Sequence, residues 1–162
     1  TIGGYIRPKN LSKDKTKMSE TLYHVINWAI KEKKIIFDYI LILQPTSPIR
    51  FIKDLKKMKT LIKIKKIKSL CSVVKAKHHP AEYLKKEKNF WKLLIKKSNN
   101  QRQDYKDYYF IDGSYYFIEK NYFMKQKEII TKKSQFFPIS LRYPIDLDDH
   151  LDLKIARAIY KK

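Results

Sequence analysis

From Phe37 to Leu43 every residue but Asp38 is apolar or aromatic, and the run stops at Gln44-Pro45-Thr46-Ser47-Pro48. No period-two alternation divides the run into a wet and a dry face. It therefore reads as a strand buried on both sides, as in the middle of a parallel sheet. The two prolines prevent its continuation. Met18, Leu22, Val25, Ile26, Ala29 and Ile30 recur at helical spacing and predict an amphipathic helix over 18–33. Phe51, Leu55, Met58 and Leu61/Ile62 predict a second helix over about 51–62, and a second buried strand follows over 69–75. Helix, strand, helix, strand is the order of an α/β fold with crossovers. The expected fold class is thus α/β, a mostly parallel sheet flanked by helices, in one domain over residues 1–162.

The remainder is less regular. Residues 1–15 read as a loop broken by Gly3-Gly4 and Arg7-Pro8. Within 78–106, Phe90, Trp91, Leu93 and Leu94 form an apolar patch suited to a β-ribbon or arm. Tyr108 to Glu119 is an aromatic strand region interrupted by Asp112-Gly113. A short helix near 120–126, a strand over 136–141 and a last helix on Leu151, Ile155, Ala158 and Ile159 complete the reading, with Asp148 or Asp149 as its cap.

Composition excludes several classes. At 43% hydrophobic and 14% aromatic residues, the chain is neither disordered nor collagen-like. No apolar run reaches the ~18 residues of a membrane span. The net charge of +21 would suit a polyanion, yet only five of the 37 basic residues are arginine, the usual reader of bases. A basic nucleic-acid-binding module is accordingly the alternative, not the expected function. Cys71 is the single cysteine, so no internal disulfide and no thiolate metal site can form, which fits a cytoplasmic setting.

Three segments could carry chemistry. Gln44 to Arg50 lies at the carboxyl end of a strand, where open α/β sheets bind ligands; Gln44, Thr46 and Ser47 offer hydrogen bonds and Arg50 a fork for an anion. The same segment also suits an ordinary strand-to-helix turn. Asp146 and Asp148 fall on one side of an extended segment and could share a Mg²⁺, although Asp148, Asp149 and Asp152 equally suit the positive end of a helix. Arg102, in the polar stretch Arg102-Gln103-Asp104, could pair with a substrate carboxylate or be a surface arginine. Tyr115 and Tyr116 point to opposite sides of their strand, so at most one lines a given pocket.

Taken in order, these segments resemble the acylneuraminate cytidylyltransferases, the CMP-sialic acid synthetases. Leu43 to Arg50 resembles the family's Leu-Gln-Pro-Thr-Ser-Pro-Leu-Arg signature. Arg7-Pro8 with Leu11, Arg102-Gln103-Asp104, Asp112-Gly113-Ser114-Tyr115-Tyr116 and Ile145-Asp146-Leu147-Asp148 resemble four further segments, with Asp112 standing where the family has Asn. The resemblance implies a nucleotide-diphospho-sugar transferase-like, Rossmann-like fold. It implies conversion of CTP and an acidic nine-carbon sugar to a CMP-sugar and pyrophosphate, with Mg²⁺ held by Asp146 and Asp148. Gln44, Arg102, Gln103 and Tyr116 would serve the sugar and Arg7 the nucleotide. A homodimer is implied, with a dimerisation arm around 78–100. The family's opening strand and phosphate-cradling loop have no counterpart in these residues, so the chain reads as a fragment lacking its first βα units and inactive alone. Legionaminic acid, pseudaminic acid or Kdo remain alternative sugars.

Overall fold

A computed structural model describes residues 4–95, 106–141 and 143–160. The elements run α1 (Met18–Lys31), β1 (Tyr39–Ile42), α2 (Ile52–Lys65), β2 (Ser69–Lys75), β3 (Leu84–Glu87), β4 (Phe90–Leu93), β5 (Tyr109–Glu119), α3 (Lys120–Gln126), β6 (Gln135–Pro138) and α4 (His150–Tyr160). Both early helices form where apolar spacing predicts them. α2 runs on to Lys65, because Ile62 still reaches the core and Lys63 and Lys65 favour the negative end of the helix. β5 continues through Asp112-Gly113 instead of breaking there.

Four strands form one sheet in the order β1-β5-β2-β6, and β3 and β4 form a separate ribbon. β1 pairs with β5 antiparallel, Ile40 facing Ile118 and Ile42 facing Tyr116. β5 also runs antiparallel to β2: Glu119 N–H donates to Lys68 O at one end and Ala76 N–H to Tyr108 O at the other. The molecule is a mixed α/β structure, but its sheet is mostly antiparallel where the sequence predicts a mostly parallel one. The reason is the insertion of β5 between β1 and β2. β1 becomes an edge strand, with Ile40 and Ile42 half-buried while Tyr39 and Leu41 stay exposed. The two-sided burial expected of it belongs to β2, buried from Ser69 to Val74 in the sheet interior.

The chain divides into two compact units. The first comprises Thr1–Leu43, Leu55–Cys71 and Tyr115–Phe136. Its core is Ile26, Ile118 and Phe123, covered by Leu22, Phe37, Ile40, Tyr122, Met124 and Ile129. Tyr39 Oη donates to Ile67 O at 3.0 Å, and burial raises its pKa, with the charges of Glu119 and Asp38 adding to the shift.

The second comprises Gln44–Asp54, Ser72–Ser114 and Phe137–Lys162. Asp54, 1% exposed, accepts from Ser140 N–H at 3.0 Å and Ser140 Oγ at 2.7 Å. That pair ties the first turn of α2 to the chain after β6. Within the stretch 78–100, β3 and β4 form a hairpin closed by Lys88 in a left-handed conformation. Register places Leu84, Leu93 and Trp91 on one face, all exposed, with Lys86 lying over the Trp91 ring.

Candidate functional site

The second unit gathers the loop after β1 against Asp112-Gly113-Ser114 of β5. Gln44 opens a tight turn: Ser47 N–H donates to Gln44 O at 3.1 Å, with Pro45 at the turn position its fixed φ suits. Pro48 and the buried Ile49 then lead to Arg50. The Arg50 guanidinium is not presented to an anion. It is half-buried, its Nε donates to Ser114 O at 2.9 Å, and its Nη2 donates to Gln44 O. Arg50 thus staples the loop to β5, a positioning role that replaces the anion fork its sequence position suggests.

Asp112-Gly113-Ser114 supplies the other wall. Asp112 is 8% exposed; its carboxylate accepts from Ser72 Oγ at 2.5 Å and from Ser114 N–H at 3.3 Å, and its carbonyl accepts from Ser47 Oγ at 3.1 Å. A buried carboxylate is tolerated because hydroxyl and amide donors replace its water. Gly113 has φ +80°, and a Cβ there would lie 2.7 Å from Ser47 Oγ and closer still to Gln44 Oε1. The Gln44 side chain therefore lies directly on the Gly113 backbone. The close approach that a glycine between two aromatic stretches predicts is what the structure contains.

The aspartate segment joins the same loop. Leu147 N–H donates to Thr46 O at 2.8 Å, linking two motifs about a hundred residues apart in the sequence. Burial alternates along the segment, with Ile145 and Leu147 half-buried and Asp146 and Asp148 exposed. The backbone is turned there and not extended as the sequence predicts, since Asp148 N–H also donates to Asp146 O at 3.1 Å. The neighbouring carboxylates are already used. Asp149 Oδ1 accepts from Leu151 N–H at 2.7 Å and Asp152 N–H at 2.9 Å, while Asp152 Oδ2 accepts from Asp148 N–H at 3.0 Å and Asp149 N–H at 3.1 Å. This reciprocal capping box starts α4. Asp149 and Asp152 are the caps, and the carboxylates of Asp146 and Asp148 are unengaged among the described residues. Two exposed carboxylates are the protein ligands that suit a Mg²⁺ taking its other ligands from water and phosphate. No group of three or more potential metal-ligating residues occurs among the described residues.

No protein-family model matches this chain, and no curated protein matches it.

Two expected residues belong to the other unit and two lie outside the described residues. Tyr116 is buried in the first unit opposite Ile42, and Arg7 is exposed in the first unit ahead of the short 3-10 turn Lys9–Leu11. Arg102 and Gln103 lie outside the described residues. Sequence reasoning missed Ser72, which anchors Asp112, and the Asp54–Ser140 pair. A serine inside an apolar strand and an aspartate in the first turn of a helix were the available signals, but neither names its partner.

Proposed function

We propose that this chain carries the sugar- and metal-binding groups of a cytidylyltransferase that joins CTP to a sialic-acid-like nine-carbon keto acid, releasing pyrophosphate. One observation carries the reading: the Leu147–Thr46 hydrogen bond sets the Asp146/Asp148 pair beside the loop that bears Gln44. These are the two segments the resemblance assigns to metal and sugar, and nothing in local sequence requires them to meet.

On this reading the anomeric hydroxyl of the sugar attacks the α-phosphate of CTP. Mg²⁺ bound to Asp146 and Asp148 would offset the charge on the phosphates. Gln44 presents its side-chain amide to the sugar from a fixed perch: the turn, the Arg50 staple and the Gly113 contact hold its backbone and side chain before substrate arrives. Asp112, held by Ser72 and Ser114, sustains that wall from behind. By the resemblance alone, Arg102 and Gln103 would serve the sugar and Arg7 the nucleotide. On this reading the fold belongs with the Rossmann-like nucleotide-diphospho-sugar transferases, the enzyme is cytoplasmic, and the exposed apolar face of the β3–β4 hairpin pairs two copies in a homodimer. Among the described residues no helix is long and apolar enough to cross a membrane.

The test uses the protein translated from its complete reading frame, with CTP, Mg²⁺ and a panel of nonulosonic acids and Kdo. Pyrophosphate release with one of these acids, lost in both Asp146→Ala and Asp148→Ala, is the expected result. Full activity in both variants would overturn the metal assignment, and no turnover with any acid would overturn the reaction.

A further inference from the structure

Beyond Asp54 in its first turn, α2 and the turn after it carry charge of one sign. From Leu55 to Lys68 there are seven lysines, all exposed, and no acidic residue. A solvated helix face ordinarily interleaves Glu with Lys, because like charges at i, i+4 repel. Such pairing exists elsewhere in this chain, Lys75 with Asp107 and Lys85 with Glu87. In the α2 stretch the only acid within reach among the described residues is Glu119, 4.0 Å from Lys68. The helix dipole accounts for Lys63 and Lys65, in the last turn, but not for Lys56, Lys57 and Lys59.

The placement is ordered. Lys56, Lys59 and Lys63 follow at intervals of three and four, so they form one row along the solvent face, about 10 Å long at ~1.5 Å per residue. The opposite face is already packed, with Met58 and Ile62 buried. We propose that this lysine row docks the phosphate backbone of a nucleic acid, without regard to base sequence. Lysine is a point-charge donor suited to phosphates, and the stretch from Leu55 to Lys68 holds no arginine to read a base and no aromatic ring to stack on one. A lipid surface is disfavoured, because a helix lying in a membrane needs its apolar stripe turned outward, and α2 turns out only Ile52 and Ile64, which helical geometry sets about 120° apart around the axis. The surface shares no residue with the cytidylyltransferase site and rests on none of its chemistry.

The experiment measures binding of the full-length protein to a mixed-sequence duplex of ~20 base pairs by fluorescence anisotropy, from ~50 to ~200 mM salt. The triple variant Lys56→Gln/Lys59→Gln/Lys63→Gln should lower the slope of log K against log salt by about 3, since each lost phosphate contact removes ~0.9. The control Lys85→Gln/Lys86→Gln/Lys92→Gln loses the same charge from the hairpin and should keep the wild-type slope. In the wild-type protein, bound duplex should protect Lys56, Lys59 and Lys63 from acetylation and leave Lys85 and Lys92 reactive. Equal slope losses in both variants, uniform protection, absence of duplex binding, or binding only to anionic vesicles would each overturn the proposal.

Discussion

Adding one methyl group at Gly113 probes the site without touching a charge. At φ +80° an alanine carries the left-handed backbone penalty, ~1–2 kcal/mol. Its Cβ also enters space held by Gln44 Oε1 and by Ser47 Oγ, the latter 2.7 Å away. Moving Ser47 would break its hydrogen bond to Asp112 O in a buried setting. Overpacking of this kind costs ~1–3 kcal/mol, so Gly113→Ala should destabilise by about 2–5 kcal/mol. With a urea slope of ~2 kcal/mol/M, the unfolding midpoint should fall by about 1–2.5 M. The overlap part can be isolated. In a Gln44→Ala background the nearer obstacle is gone, and Gly113→Ala should cost less by ~1 kcal/mol, a coupling large enough to resolve in a double-mutant cycle. The backbone part should persist in both backgrounds. A midpoint shift below ~0.3 M for Gly113→Ala, or a coupling within ~0.5 kcal/mol of zero, would refute the argument that Gln44 rests on Gly113.

Arg50→Met removes two hydrogen bonds from a guanidinium to the carbonyls of Gln44 and Ser114, and should cost about 2–4 kcal/mol, read as a lowered melting temperature. An unchanged melting temperature would show that Arg50 does not staple the loop. The four aspartates should separate into two pairs: Asp149→Ala and Asp152→Ala should each destabilise by ~1 kcal/mol through lost capping, whereas Asp146→Ala and Asp148→Ala should leave thermal stability unchanged. A reversed pattern would exchange their roles. Tyr39 should contribute a pH dependence in the alkaline range. Burial raises its pKa in the folded state, so its contribution is complete below the usual phenolic value of 10.0 and is lost as pH rises through the folded value. Tyr39→Phe should flatten that part of the denaturation profile, and a profile identical to wild type would refute the assignment.

The helices were legible because burial of one stripe imposes a period on the sequence. Ile26 in α1 and Met58 and Ile62 in α2 are buried where the spacing places them. The loop at Gln44, the close approach at Gly113 and the cap at Asp149 were also readable, since proline, glycine and aspartate each restrict the backbone locally. Strand partnership was not. Apolar runs at 37–43 and 69–75 look alike, yet one forms a sheet edge and the other the interior, and the difference is set by β5, whose residues lie far along the chain. Nor could Arg50 be assigned. Its fork suits a bound anion as well as two carbonyls, and only the folded path of β5 brings Ser114 O within 2.9 Å. Local sequence thus determined which segments are helix, strand or turn and which residues are chemically equipped. Tertiary structure decided which motifs meet, because that outcome depends on hydrogen bonds between residues remote in sequence, such as Leu147 to Thr46.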